Sequence, residues 1–333
     1  MNYRLKQVPE DFIVKEIPKL SFSEKGNYTY FSIAKNRCNT EEVIQDLVTR
    51  FSLPRKLFSY AGTKDRNAST MQYASVRSRI RPIVTERYEI KIVGCGDAPI
   101  SLGDLEGNGF EITIRCLDSL PEFPSFFINY FDDQRFGTNN HLIGECIVKG
   151  DFRKACELSH SDEVSYHLAQ HQNDFVGGMK KLPFKILTLY VHAFQSYLWN
   201  LVACRLVSQE NSYRVPYILG DLVMPAMQPD PCKIPFIAFD TEAEGDIERH
   251  YSDILSGLKL SQRDFVIRKF PELTCQGGER DLVTFPKDLV TGALEEDDLN
   301  PGKKKVKVSF GLDKGAYATM FIKSGIYSSS GDR

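Results

Sequence analysis

The sequence predicts an α+β chain in two parts, with its main sheet mixed or antiparallel. Two observations point there. Runs of alternating apolar residues are interspersed with helical patterns. No strand–helix rhythm repeats along the chain, as a doubly wound parallel sheet would require. The 333 residues suffice for two domains or one large one, with a sizeable core.

Each element has its own signal. Thr40 to Phe51 reads as a helix: Thr40 is a candidate N-cap, Glu41 and Glu42 suit the first turn, and Val43, Ile44, Leu47 and Val48 form an apolar stripe ahead of Pro54. Met71 to Arg77 and the alternating Tyr88, Ile90 and Ile92 read as strands. Phe110 to Arg115 alternates most clearly, and Gly107-Asn108-Gly109 before it reads as a turn. Asp151 is a candidate N-cap for a helix over Phe152 to Leu158. Tyr190 to Leu206 is a long, mostly apolar helix of the kind that is buried. Residues 207–288 are less regular, and Val306, Val308 and Phe310 return to strand.

Composition excludes several classes. Hydrophobic residues make up 42% and charged residues 26%, ordinary globular values. The start has no apolar signal segment, and no run is apolar for long enough to span a membrane. Eight cysteines are scattered without a Cys-x-x-Cys pair, as expected of reduced thiols in a cytoplasmic protein. His167 and His171 lack the glutamate of a zinc-protease helix, which favours a cap or surface role. Net charge is −2, yet residues 50–91 hold ten basic residues against three acidic ones. Such a patch suits phosphate binding, although a solvated basic face is the simpler reading.

Four clusters could carry chemistry. In Gly62-Thr63-Lys64-Asp65-Arg66 a carboxylate sits between two cations, which lower its pKa and keep it ionised. An ionised Asp can serve as nucleophile or base, but spacing alone fits an ordinary charged turn better. Asn129-Tyr130-Phe131 with Gln134-Arg135-Phe136-Gly137 interleaves rings, amides and a guanidinium, as base stacking requires, or as a domain junction would. Gly107-Asn108-Gly109-Phe110 puts an amide and a ring at a strand entry. Lys314-Gly315-Ala316-Tyr317 could close a pocket, or begin a packed terminal strand.

Together these runs resemble the TruD family of tRNA pseudouridine synthases. Lys6 to Glu16 is similar to the family's opening strand, and Ala61-Gly62-Thr63-Lys64-Asp65-Arg66 through Thr70-Met71-Gln72 to its most specific motif. The Asn108 and Phe136 runs, His192 to Tyr197, Gly277-Gly278-Glu279-Arg280 and Gly315 to Thr319 follow in family order. The resemblance implies a pseudouridine synthase catalytic domain, from residues 1–137 together with 289–333, and an inserted TruD domain at 138–288. It implies isomerisation of a flipped uridine in tRNA, at position 13, by a monomer with no metal or organic cofactor. Asp65 matches the catalytic aspartate and Lys6 its ionic partner. Phe12, Asn108, Phe110, Phe136 and Tyr317 would border the substrate, with Lys64, Arg66 and Arg135 on the RNA. A synthase with another RNA target and a tRNA-folding chaperone without catalysis are the competing readings. The chain departs from the family pattern at Asp104, at Asp132, and at Lys323-Ser324-Gly325, where members often show Arg-Glu-Leu.

Overall fold

The computed structural model describes residues 3–62, 69–207, 211–274 and 277–328. The chain forms two compact units, Met1–Pro121 with Phe285–Ala318, and Glu122–Thr284 with Thr319–Arg333. The sequence places the insertion at 138–288; the compact units divide after Pro121, after Thr284 and after Ala318. Within the second unit, Phe127–Ile128 pairs antiparallel with Val283–Thr284, so its two ends are joined by their own short ladder.

The first unit is built on one ten-stranded mixed sheet. Its order is Lys287–Thr291, Lys304–Asp313, Leu105–Leu117, Phe12–Pro18, Ser69–Val76, Tyr28–Lys35, Tyr88–Gly96 and Ile83–Val84. Glu295–Glu296 adds to Lys304–Asp313, and Phe58–Tyr60 to Ser69–Val76. Phe12–Pro18 runs parallel to Ser69–Val76, with Ile13 opposite Ser69, and the other pairings described in this sheet are antiparallel. The period-2 pattern therefore puts Phe31, Ile33, Ala74, Val76 and Ile90 on one face. The helix Thr40–Phe51 lays Val43, Ile44 and Leu47 against them, as its stripe requires.

Three local expectations are corrected. The N-cap is Asn39, not Thr40, because the Thr40 hydroxyl turns inward and donates to Gln72 Oε1 at 2.8 Å. Gly107-Asn108-Gly109 is not a turn but lies inside the strand Leu105–Leu117, flanked by Lys15–Ile17 and by Gly311–Asp313. Glycine is needed there for closeness: a Cβ on Gly107 would stand 2.2 Å from the Leu312 carbonyl oxygen. After Tyr317 the chain forms the helix Ala318–Ser328, not a terminal strand.

The second unit centres on the helix Phe184–Leu206, which is apolar all round because it is packed on several sides. Three of its polar side chains are used internally. Gln195 Nε2 donates to Ile237 O at 2.7 Å, and Trp199 Nε1 to Ile234 O at 3.1 Å. Asn200 accepts from Phe131 N and donates to Phe131 O, both at 2.9 Å. Against it stand Asn140–Lys149, Gly245–Gly257 and the hairpin of Ser212–Tyr217 with Gly220–Pro225, while Phe152–Ser159, with Asp151 as its N-cap, packs on Asn140–Lys149. The rings of His167 and His171 stack at 4.5 Å, with His171 as a helix C-cap. No described helix is long and apolar enough to cross a membrane.

Candidate active site

Asp65, Lys64 and Arg66 lie outside the described residues, but both shoulders of their run are described. On the near side, Phe58–Tyr60 is tied to the helix. Arg55 donates to Glu41 through Nε at 2.6 Å and a terminal nitrogen at 2.8 Å, and the Tyr60 hydroxyl donates to the same carboxylate at 2.9 Å. The Arg55 hydrogen bonds, with help from Tyr60, overcome the cost of burial and hold the Glu41 carboxyl at about 2. Gln72 Nε2 then approaches the Gly62 carbonyl at 3.5 Å while its Oε1 is held by Thr40. On the far side, Ser69 enters the sheet opposite Ile13, one residue from Phe12.

Phe12 stands in an aromatic group that the strand register assembles. Its ring meets Phe110 edge-on at 6.3 Å, and Phe110 stacks on Phe310 at 5.4 Å. The Lys6 ammonium sits over Phe12, 4.2 Å from the centroid. Lys6 itself has φ 58°, an uncommon conformation for a non-glycine residue. Its neighbours hold that conformation in place. Arg4 and Arg115 exchange backbone hydrogen bonds at 2.9 and 3.0 Å, and buried Arg115 binds Asp11, Asp297 and Asp298. Asn300 bridges from Asp297 to Gln7 and accepts from Arg4. The segment carrying Lys6 is thus fastened at Arg4, Gln7 and Asp11.

Asn108 lies directly opposite Glu16, whose buried carboxylate accepts from Tyr73 N at 2.7 Å. An amide and a carboxylate therefore share one face of the sheet beside the aromatic group. Tyr317 is half-buried in the loop after Lys304–Asp313, which is closed by Lys314 N donating to Glu106 O at 3.2 Å. Phe310, Glu16 and Gln72 were given no role from sequence. Alternation with Val306 and Val308 marks Phe310 as inward, and a charge at the inward position after Phe12 and Val14 marks Glu16.

Phe136 and Arg135 belong to the second unit. The Phe136 ring is 0% exposed, with His141 at 6.0 Å and Tyr217 at 5.9 Å beside it. Arg135 and Arg280 lie over Phe131, at 5.2 and 4.2 Å. Two positions read from sequence as departures from the family pattern meet in the structure: buried Lys323 pairs with buried Asp132 at 2.7 Å and with Asp133 at 2.8 Å. Burial alone would pull the Lys323 ammonium pKa down, but Asp132 and Asp133 outweigh it and raise the pKa. The third departure, Asp104, closes a local turn by accepting from Ser101 N at 2.8 Å.

The model of the family described as tRNA pseudouridine synthase D (TruD) matches residues 1–166, 157–252 and 231–324. The chain belongs to the TruD family. It is 30% identical to a protein of Methanosarcina acetivorans named a probable tRNA pseudouridine synthase D, over 96% of this chain and 91% of that one. It is 27% identical to the tRNA pseudouridine synthase D of Aquifex aeolicus, over 97% and 98%. A solved structure from Methanosarcina mazei, described under the same TruD name, superposes with a TM-score of 0.69 at 26% identity, over 97% of this chain and 93% of that one. The α+β fold is thus that of a TruD structure. The M. acetivorans match runs over 411 aligned positions, more than the 333 residues here, so that relative carries segments this chain lacks.

Proposed function

We propose that this chain isomerises uridine to pseudouridine in tRNA, at position 13, as a cytoplasmic monomer. Asp65 supplies the carboxylate that opens the C1′–N1 bond, and Lys6 is its ionic partner. Phe12, Asn108, Phe110, Phe136 and Tyr317 border the flipped nucleotide, and Lys64, Arg66 and Arg135 meet RNA phosphates. Beyond family membership, one observation supports this most: the far shoulder of the Asp65 run enters the sheet one residue from Phe12, over which Lys6 lies.

The chemistry suits these groups. The glycosidic bond to N1 breaks, the uracil turns, and C5 bonds to C1′; C5 gives up a proton and N1 gains one. Substrate and product have the same composition, so no oxidant, reductant or co-substrate is consumed. Extruding the base costs a few kcal/mol. Stacking on an aromatic side chain returns roughly 1–3 kcal/mol.

The test is to incubate wild type and Asp65→Ala with an unmodified tRNA transcript and map pseudouridine by carbodiimide primer extension. Wild type is expected to give a stop at position 13, and the variant none. A silent wild type, or an equally active variant, would overturn the assignment. A stop elsewhere would move the target.

A further inference from the structure

Sequence alone marks residues 50–91 as basic, but the structure neutralises much of that excess. Arg50 pairs with Asp46 at 2.7 Å, Arg55 with Glu41 at 2.6 Å, Arg87 with Glu42 at 2.5 Å, and Lys91 with Glu89 at 3.1 Å. The lysine run near the end is neutralised too: Lys303 pairs with Asp118, Lys304 with Glu296, Lys305 with Asp298, and Lys307 with Glu111. Within 50–91, the described cations left without a carboxylate are Lys56, Arg77, Arg79 and Arg81, and all four are exposed.

These four are also held together. Arg77, Arg79 and Arg81 alternate with Ser78 and Ile80 in the loop that leaves Ser69–Val76. The intervening residues anchor the loop. Ser78 O accepts from Thr29 Oγ1 at 2.7 Å, and Ile80 packs on the core under the helix Thr40–Phe51. Pro82 then restricts the exit of the loop. Arg77 N donates to Leu57 O at 3.0 Å, which brings Lys56 alongside. Arg79 spends part of its guanidinium on Gly26 O at 3.2 Å and Cys95 Sγ at 2.6 Å, and the others have no side-chain partner among the described residues.

We propose that this anchored arginine loop, with Lys56, is a docking site for the RNA phosphate backbone, remote from the reacting nucleotide. The proposal rests on the tRNA reading above and adds the part of the surface that holds the tRNA body. At about 3.4 Å per residue, the strand carries the loop roughly 20–25 Å from Ser69, the described residue that follows the Asp65 run in sequence. Interactions at that distance act on binding, not on the bond being broken. Arginines suit phosphate by their fork of donors, and anchoring the loop in advance reduces the ordering cost on binding.

The test compares K56Q/R77Q/R81Q with a control of equal charge change, K303Q/K304Q/K305Q, both checked for native unfolding behaviour. Affinity for an unmodified tRNA transcript is measured from about 50 to 200 mM salt. Removing one cation from a phosphate reduces the slope of log K against log salt by roughly 0.7–0.9, so the loop variant should lose about 2 in slope. Its KM for tRNA should rise roughly tenfold at the upper salt concentration, with kcat at saturating tRNA within about twofold of wild type. The control should keep the wild-type slope. An unchanged slope in the loop variant, or an equal fall in the control, overturns the proposal while leaving the synthase reading standing. A wild type that binds no tRNA overturns both.

Discussion

Arg115 gives the sharpest energetic test of how this site is held. Its guanidinium meets Asp11 Oδ1 at 2.8 Å, Asp297 Oδ1 at 2.8 Å and Asp298 Oδ1 at 2.8 Å. Arg115, Asp11 and Asp297 are each 5% exposed or less, whereas Asp298 is open to solvent and contributes little. In Arg115→Met the stem is replaced and the charge removed, which leaves two buried carboxylates without their cation. Breaking a buried pair in this way costs about 3–5 kcal/mol. The lower end applies here, because Asp297 keeps donors from Cys116 N, Leu299 N and Asn300, and Asp11 keeps Val8 N. The pH dependence has a definite sign. Burial raises the Asp297 pKa, but the Cys116, Leu299, Asn300 and Arg115 hydrogen bonds overcome it and hold it at about 2. In wild type its contribution is therefore full above the unfolded pKa near 4 and lost as pH falls toward 2. In the variant, carboxylates deprived of their cation favour protonation, so the deficit against wild type should shrink as pH is lowered. Urea unfolding near pH 7 and near pH 4.5, read by hydrogen exchange at the amides of Leu105–Leu117, measures both. The double variant Arg115→Met/Asp11→Leu should recover at least about 1 kcal/mol, since one stranded charge is gone. A loss under about 1 kcal/mol near pH 7, or a deficit independent of pH, would refute the idea that this network fastens the Lys6 segment.

Two further outcomes follow from single residues. Gly107→Ala should destabilise by roughly 1–3 kcal/mol in thermal unfolding, because its Cβ would stand 2.2 Å from a backbone oxygen that cannot rotate away. An Ala variant of wild-type stability would show that the strands part there at little cost. Asn200→Ala should cost about 2–4 kcal/mol by stranding the buried N–H and C=O of Phe131, whereas Asn200→Asp should rescue acceptance from Phe131 N but not donation to Phe131 O. Equal losses in the two variants, measured by denaturant midpoint, would contradict that division.

Much of the second unit is hard to read from sequence because its signals are not local. Trp199, Gln195 and Asn200 look like an undifferentiated apolar helix with scattered amides. Their partners, Ile234 O, Ile237 O and the Phe131 backbone, are tens of residues away. Asp132 and Lys323 each look like an isolated departure from the family pattern. Across 191 residues of chain they form one buried pair. The glycines at 107 and 109 mislead for a related reason. A glycine pair fits a tight turn or a close approach of strands equally well, and the choice rests on Leu312, some two hundred residues on.

By itself the sequence determined the elements with a strong period and the order of the motifs that place the chain in its family. The stripe of the helix Thr40–Phe51, the alternation at Phe110 and Phe310, and the Asp151 cap are local, so short stretches suffice to reveal them. The tertiary structure alone decided which charges remain free. A lysine run as basic as 303–305 is spent on Asp118, Glu296 and Asp298, while Arg77 and Arg81 have no such partner among the described residues. Charge is written residue by residue, but neutralisation acts through space at a few ångströms, and only folding brings those distances about.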